Sequence, residues 1–227
     1  TEAFGICWSS QVTLDGAKFI SEQLAQTFSE VLFDDCLFSI CLCDECLANF
    51  NKKYGYRVDR GTFHWIFNKA DGIPSDIAKM IKDWIEYNTR LFEDSCREYI
   101  IKPARKINPD MKIDIKVPQW NETYSLAGLN PKSLIDIFDG VYVGTEIRDD
   151  LKEYAYYAYN IAEYVKKCCS YKTGYTWFDT YRGYGGPWGV KMHKEVFVEQ
   201  ARLSTFSGCE EIVIYVLGSM MDPERIE

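Results

Sequence analysis

Strand-like and helix-like segments alternate along the whole chain, and that alternation limits the fold more than any other feature. AFGICWS (3–9) precedes the amphipathic GAKFISEQLAQTF (16–28), and VLFDDCLFS (31–39) precedes a cysteine-rich turn and the helical ECLANFNKKYG (45–55). A long stretch of 3.6-residue periodicity follows from Ser75 to Ile107, with Ser75 placed to cap it and Asn108-Pro109 to stop it. Then come MKIDIKVP (111–118), NPKSLIDIF (130–138), GVYVGTE (140–146), the helical DLKEYAYYAYNIAEYVKKC (150–168) and TGYTWFDTY (173–181). A glycine-rich loop, RGYGGPWG (182–189), leads to a helix at 194–208 and a last strand, EEIVIYVL (210–217). No hairpin signal such as Asn-Gly separates any two strands, so the pattern implies a parallel sheet with helical crossovers.

About six strands fit either an open doubly wound sheet or part of a (β/α)8 TIM barrel. The strands carry no GxGxxG or P-loop signature, and acidic residues sit at the C-terminal ends of several of them, where barrel active sites are built. The expected fold is therefore α/β, a TIM barrel with about six strand-helix units present. The expected organisation is a single catalytic domain over residues 1–227. The chain opens on what reads as mid-strand, without an initiator Met, so it is expected to be a fragment of a longer polypeptide.

Composition excludes some functions. Net charge is −8, with no basic run beside the aromatics, so no nucleic-acid partner is expected. No apolar run is long enough to span a bilayer, and no targeting segment is visible. Nine cysteines, an odd number, argue against a simple disulfide framework and for a reducing, cytoplasmic setting. The composition is compatible with a homo-oligomer.

Carboxylates at strand ends are the candidate catalytic groups. In MKIDIKVP, Ile113, Ile115 and Val117 alternate with Lys112, Asp114 and Lys116, and the polar set is expected to face the lumen. The same alternation sends Glu146 inward from GVYVGTE and Asp179 from TGYTWFDTY. In VLFDDCLF only one of Asp34 and Asp35 can point inward. Two carboxyl groups flanking a glycosidic bond, one protonated and one ionised, are what hydrolysis of that bond requires. Trp8, Trp120, Trp177 and Trp188 are candidate sugar-stacking surfaces. Arg148, Tyr181 and Arg182 are candidates for binding hydroxyls or a carboxylate. Lys116 either stabilises an ionised nucleophile or pairs with Asp114.

Cys36, Cys41, Cys43 and Cys46 have the spacing C-x4-C-x-C-x2-C, and a C-x-C-x2-C turn brings three sulfurs within reach of one tetrahedral Zn²⁺. The fourth ligand is either Cys36 or Cys7. Such a site, closed by thiolates, is structural, with no open position for water.

The strand ending in acids and the following ICLCDECLANFNKKYG resemble the segment after the fourth strand in (β/α)8 glycoside hydrolases of the family 42 β-galactosidase type. They also resemble poorly characterised barrel proteins with a double Asp before a Cys-x-Cys-x2-Cys turn. The resemblance covers about thirty residues. It implies a barrel, a structural zinc and an oligosaccharide or glycoside substrate, and it makes the present strands the third to eighth. The family's Asn-Glu pair on strand four is absent here, since the chain reads FDDC, and strand seven offers Asp179. An Asp on strand four with an acid on strand six is instead similar to α-galactosidase-type barrels, with Asp34 or Asp35 as nucleophile and Glu146 as acid. Two other functions remain open: a non-catalytic carbohydrate-binding or structural barrel, and a metal-dependent hydrolase using the cysteine site.

Overall fold

A computed structural model of the chain describes residues 4–34, 39–67, 74–117, 129–144, 159–160, 163, 166–167, 174–182, 190–208 and 211–215. The chain forms two compact units, Thr1–Lys112 with Asn121–Asn130, and Ile113–Trp120 with Pro131–Glu227.

The first unit is largely helical. Strand β1 (Phe4–Gly5) pairs antiparallel with β3 (Ser39–Ile40). This corrects the expected parallel strand over residues 3–9. The Ser10 N–H bonds to Cys7 O at 3.0 Å and closes a turn, so the extended run ends after Gly5 and residues 8 and 9 leave the strand direction. Helix α1 (Gln11–Thr27) follows, then β2 (Glu30–Phe33).

Helices α2 (Asp44–Tyr54), α3 (Arg60–Phe67) and α4 (Ser75–Cys96) enclose an aromatic core. Met80, Trp84 and Tyr87 recur on one face of α4 at helical spacing and pack with Phe50 and Phe63. Phe50 is fully buried, its ring 5.0 Å from Trp84, 5.2 Å from Tyr54, 5.4 Å from Tyr56 and 5.7 Å from Tyr87.

Turn chemistry fixes how these helices connect. Gly55 takes the left-handed conformation (φ 76°) that ends α2, which costs a residue without Cβ little. The Asn51 amide accepts from Val58 N at 3.0 Å and donates to Val58 O at 2.8 Å, pinning the connecting loop. Asp59 then caps the start of α3 by accepting from Thr62 N at 2.8 Å.

The expected helix over Ser75–Ile107 is present with two differences. Pro74 occupies the cap position and Ser75 is already helical, because a proline's fixed φ suits the entry to a helix. Between α4 and α5 (Lys102–Ile107) the backbone passes through one π turn, Arg97–Ile101, in which Lys102 N bonds to Arg97 O. Pro103 explains it. Proline has no N–H to give to the preceding turn and its ring crowds a carbonyl there, and widening the helix by one residue relieves both. Asn108 ends the helix as expected, with extended dihedrals, and its side chain bonds to Phe28 O at 3.3 Å.

The second unit is built on parallel pairing. Strands β4 (Lys112–Val117), β5 (Gly140–Gly144), β6 (Gly174–Asp179) and β9 (Glu211–Tyr215) form three successive parallel ladders. Lys116 pairs with Tyr142, Tyr142 with Tyr175, Gly144 with Trp177, and Asp179 with Tyr215. β4 is buried on both faces from Ile113 to Val117, as a covered parallel strand should be. The short helix α6 (Pro131–Leu134) stands between β4 and β5, and α7 (Lys194–Phe206) precedes β9. Ile214 of β9 packs on Met192, Val196 and Phe197, so this strand meets the helix that precedes it. In the helix expected at 150–168, residues 159, 160, 163, 166 and 167 are described and helical, with Lys167 paired to Glu163 at 3.5 Å.

One expectation fails in this unit. The glycine-rich loop is flanked by an antiparallel pair, β7 (Tyr181–Arg182) and β8 (Val190–Lys191), with Met192 N bonded to Thr180 O at 3.1 Å. The reading without hairpins missed it because a two-residue pairing on either side of a long loop carries no Asn-Gly turn. No helix among the described residues is long and apolar enough to cross a membrane.

Candidate metal centre and strand-end carboxylates

Four cysteine sulfurs converge in the first unit. The Sγ atoms of Cys7, Cys41, Cys43 and Cys46 all lie within 4.8 Å of one another, with Cys7 3.7 Å from both Cys43 and Cys46. The antiparallel β1–β3 ladder draws the two chain segments together, and Cys7 follows β1 as Cys41 follows β3.

Cys43 holds its place as the N-cap of α2, where its sulfur accepts the Cys46 N–H at 3.4 Å. Arg60 braces the same turn from α3, donating from Nε to Leu42 O and from its terminal nitrogen to Asp44, both at 2.8 Å.

The thiols differ in acidity because their surroundings differ. Burial dominates at Cys41, pushing it up to about 11, and the neighbouring thiols add to this against a bond from the Cys43 backbone. At Cys46 burial pushes the thiol further up, and the Ser9 hydroxyl opposes it. At Cys43 burial is outweighed by bonds from the Cys46 N–H and the adjoining thiols, so this thiol is more acidic than an ordinary cysteine. Its station at a helix N-terminus favours the thiolate too.

The donor set fits a metal ion. Four sulfurs bound tetrahedrally to one zinc at about 2.3 Å stand about 3.8 Å apart, close to the spacing of Cys7 from its two neighbours. Cys7, named as an alternative to Cys36, is thus part of a complete set of four. Cys36 lies outside the described residues.

The carboxylates are less fully seen. Asp34 directly follows β2 and is exposed, while Asp35 lies outside the described residues. Asp179 is the last residue of β6, and its partner in the ladder is Tyr215. Asp114 and Lys116, expected on one face of β4, are both buried, 4% and 2% exposed. Trp177 is placed by the β6 backbone, and Tyr181 and Arg182 by that of β7. Trp8 is packed edge-on to Phe92 at 5.7 Å and only 3% exposed. Glu146, Trp120, Arg148 and Trp188 lie outside the described residues.

Three residues of the metal centre escaped the sequence reading. The Arg60 brace has no local signal, because its partners lie 16 and 18 positions away. Ser9 and Tyr87 reach the cluster only through tertiary packing. Ser9 accepts from Cys46 Sγ at 3.3 Å, and the phenol of Tyr87 stands near enough to Ser9 for that hydroxyl to lower its pKa against the effect of burial.

Comparison with known proteins bears on the family and the fold of the chain. A family profile described as "probable glycosyl hydrolase, catalytic domain" matches residues 2–227. An uncharacterized protein of Saccharolobus solfataricus is 32% identical over 226 residues, which is 96% of this chain but 35% of the relative. The chain thus spans about a third of the length of the curated relative it matches. Among solved structures, the glycoside hydrolase domain of PgaB (BpsB) from Bordetella bronchiseptica superposes with a TM-score of 0.67 at 14% identity, over 93% of this chain and 59% of that one. The cold-adapted β-galactosidase from Rahnella sp. R3 gives 0.63 at 15% identity, over 94% of this chain and 35% of that one. At these identities the likeness is one of fold.

Proposed function

The chain belongs to the family of probable glycosyl hydrolase catalytic domains, and from that premise we propose that it hydrolyses a glycosidic bond in an oligosaccharide or glycoside on a (β/α)8 barrel. The observation that carries the proposal is the register of the parallel ladder. Gly144 of β5 pairs with Trp177 of β6, and Asp179 stands two positions beyond Trp177 at the strand's C-terminal end. Glu146 comes two positions after Gly144 in the sequence and lies outside the described residues; the proposal is that it serves beside Asp179. Neighbouring strands run about 4.8 Å apart, a spacing that suits a pair of carboxyl groups flanking one bond. Carboxyl pairs about 5–5.5 Å apart retain configuration at the sugar, and pairs about 6.5–9.5 Å apart invert it.

In this mechanism one of the two carboxyls is protonated and donates to the leaving oxygen. The other is ionised and attacks the sugar or activates water. Lys116, buried in β4, supplies positive potential that favours the ionised form. Trp120, Trp177 and Trp188 are proposed to stack on sugar rings, with Arg148, Tyr181 and Arg182 binding hydroxyls. Asp34 and Asp35 in the first unit are separate candidates, whereas Trp8, expected to stack on sugar, is buried against Phe92 and has no face open to one.

The four cysteines are proposed to hold a structural Zn²⁺. Thiolate donors select zinc, and a set of four closes the coordination sphere. When bound, the ion would cross-link the turn before α1 to the start of α2.

The test is hydrolysis of a panel of aryl glycosides and oligosaccharides, beginning with β-galactosides. Glu146→Gln and Asp179→Asn should each abolish turnover while leaving the circular dichroism spectrum and unfolding transition unchanged. Full activity in either variant removes that residue from the mechanism. Tight sugar binding without hydrolysis by the parent chain supports a carbohydrate-binding barrel instead.

A further inference from the structure

Cys46 Sγ lies 3.3 Å from Ser9 Oγ and, as a thiol, donates its proton to that oxygen. The phenol of Tyr87 stands near Ser9, whose hydroxyl favours its ionised form against the effect of burial. The Tyr87 ring is buried, packed 5.7 Å from Phe50 and 5.8 Å from Trp84, so its hydroxyl has little freedom to move. Ser9 is held as firmly, inside the turn closed by the Ser10 N–H on Cys7 O. Three polar groups, from the turn before α1, the first turn of α2 and the middle of α4, thus form one line ending on a cysteine of the cluster.

We propose that Ser9, backed by Tyr87, is a positioning pair for the metal site, in which the Ser9 hydroxyl donates to the Cys46 sulfur of the metal-loaded protein and Tyr87 donates to Ser9. The inference rests on the metal reading of the four cysteines. It follows from counting protons. Loading a metal on Cys46 breaks the S–H bond, releases the proton to solvent and forms a sulfur–metal bond, which leaves the sulfur an acceptor only. The Ser9–Cys46 bond then survives only if Ser9 becomes the donor. A serine hydroxyl has one proton, so Ser9 must accept from Tyr87. Two hydroxyl rotations reverse the whole line without a further proton changing owner.

The consequence is energetic. A donor aimed at a metal-bound thiolate draws charge from the sulfur, fixes its orientation and lowers the cost of keeping it ionised in a buried place. Loss of such a partner typically weakens metal binding about 10- to 100-fold.

The experiment uses cobalt(II) and zinc as probes on the chain itself. Zinc affinity is measured by competition with a chromogenic chelator, and the thiolate-to-cobalt charge-transfer band is read by absorbance. Ser9→Ala should weaken zinc binding about 10- to 100-fold and move the band to lower energy, while Ser9→Thr should stay close to the parent. Tyr87→Phe should weaken binding less and add nothing in the Ser9→Ala background. A purely structural role would lower metal-free stability in urea and leave the band where it is, and that result overturns the proposal. So does a Tyr87→Phe effect that adds in full to Ser9→Ala. If Ser9→Ala does not fold, Tyr87→Phe decides alone, since it keeps the ring packing: an unmoved band and unchanged affinity overturn the proposal. A parent chain that binds neither ion overturns the metal reading itself, whereas a parent that binds and a Ser9→Ala variant that matches it overturn only the present inference.

Discussion

The sulfurs of Cys7 and Cys46 lie 3.7 Å apart although the two residues are 39 positions apart in the chain. Bringing that pair together is a tertiary event, so an ion bound there stabilises the folded state alone. Cys7→Ser should lower the metal content of the purified protein below one equivalent. Against the parent held with free zinc about 1,000-fold above its Kd, the variant should lose about 4 kcal/mol of unfolding free energy. Elemental analysis and urea titration with and without chelator check both. Activity that survives chelation shows the site to be structural, and activity lost with the fold intact would assign it to the reaction.

Cys36→Ser should leave metal content unchanged, because Cys7, Cys41, Cys43 and Cys46 already supply four sulfurs within 4.8 Å of one another. A drop in zinc stoichiometry for this variant would mean that Cys36 displaces one of the four.

Phe50 touches four other rings and has no exposed surface. Phe50→Ala should cost about 3–5 kcal/mol, the range for emptying a packed aromatic site. Because Tyr87 leans on Phe50, the same variant should also bind zinc more weakly. Denaturant midpoints and chelator competition report the two effects separately.

Burial holds the Cys96 thiol well above the ordinary value of 9.0. A raised folded-state value means that the unfolded chain gives up this proton first. The contribution is complete below pH 9 and drains away as the pH rises beyond it. Relative to Cys96→Ala, the parent should lose about 1.4 kcal/mol of stability per pH unit on the alkaline side. Parallel denaturation curves between pH 8 and 10.5 would show the difference, and equal slopes would mean the thiol ionises in the fold.

Asp34 continues the alternation of β2, in which Glu30 and Leu32 are exposed while Val31 and Phe33 are half-buried. If one of the paired acids takes part in hydrolysis, Asp34→Asn should lower kcat about 10²- to 10⁴-fold, and Asp35→Asn should do less. Steady-state kinetics on the best glycoside found for the parent decide between them.

Local patterns were legible where their physics is local. The C-x-C-x2-C turn announced three of the four clustered sulfurs because its ligands share one turn and one helix cap. Asn108-Pro109 announced the end of the long helix because proline cannot continue it. The fourth sulfur was left open between Cys7 and Cys36, since only the β1–β3 ladder decides it, and a two-residue antiparallel pairing leaves no periodic trace. The π turn was announced by Pro103 and overlooked: a proline four residues before a helix end looks tolerable until its missing N–H is counted. The parallel order of β4, β5, β6 and β9 followed from strand-helix alternation. The antiparallel β7–β8 pair did not, because it interrupts that alternation without adding a strand to the sheet. Ser9, Arg60 and Tyr87 carry no signature of their own, and each matters only through what folding brings beside it.

Arg60 and the four sulfurs together give the first unit a property of its own. Cys7 and Cys43, 36 positions apart, bracket α1, β2 and β3, so an occupied site turns that stretch into a closed ring of chain. A protease that cuts inside the ring would yield two pieces that migrate as one until the ion is withdrawn. A cut in α1 or β2 leaves Cys7 on one piece and the other three sulfurs on the other, so stripping the metal should weaken the hold of one piece on its partner.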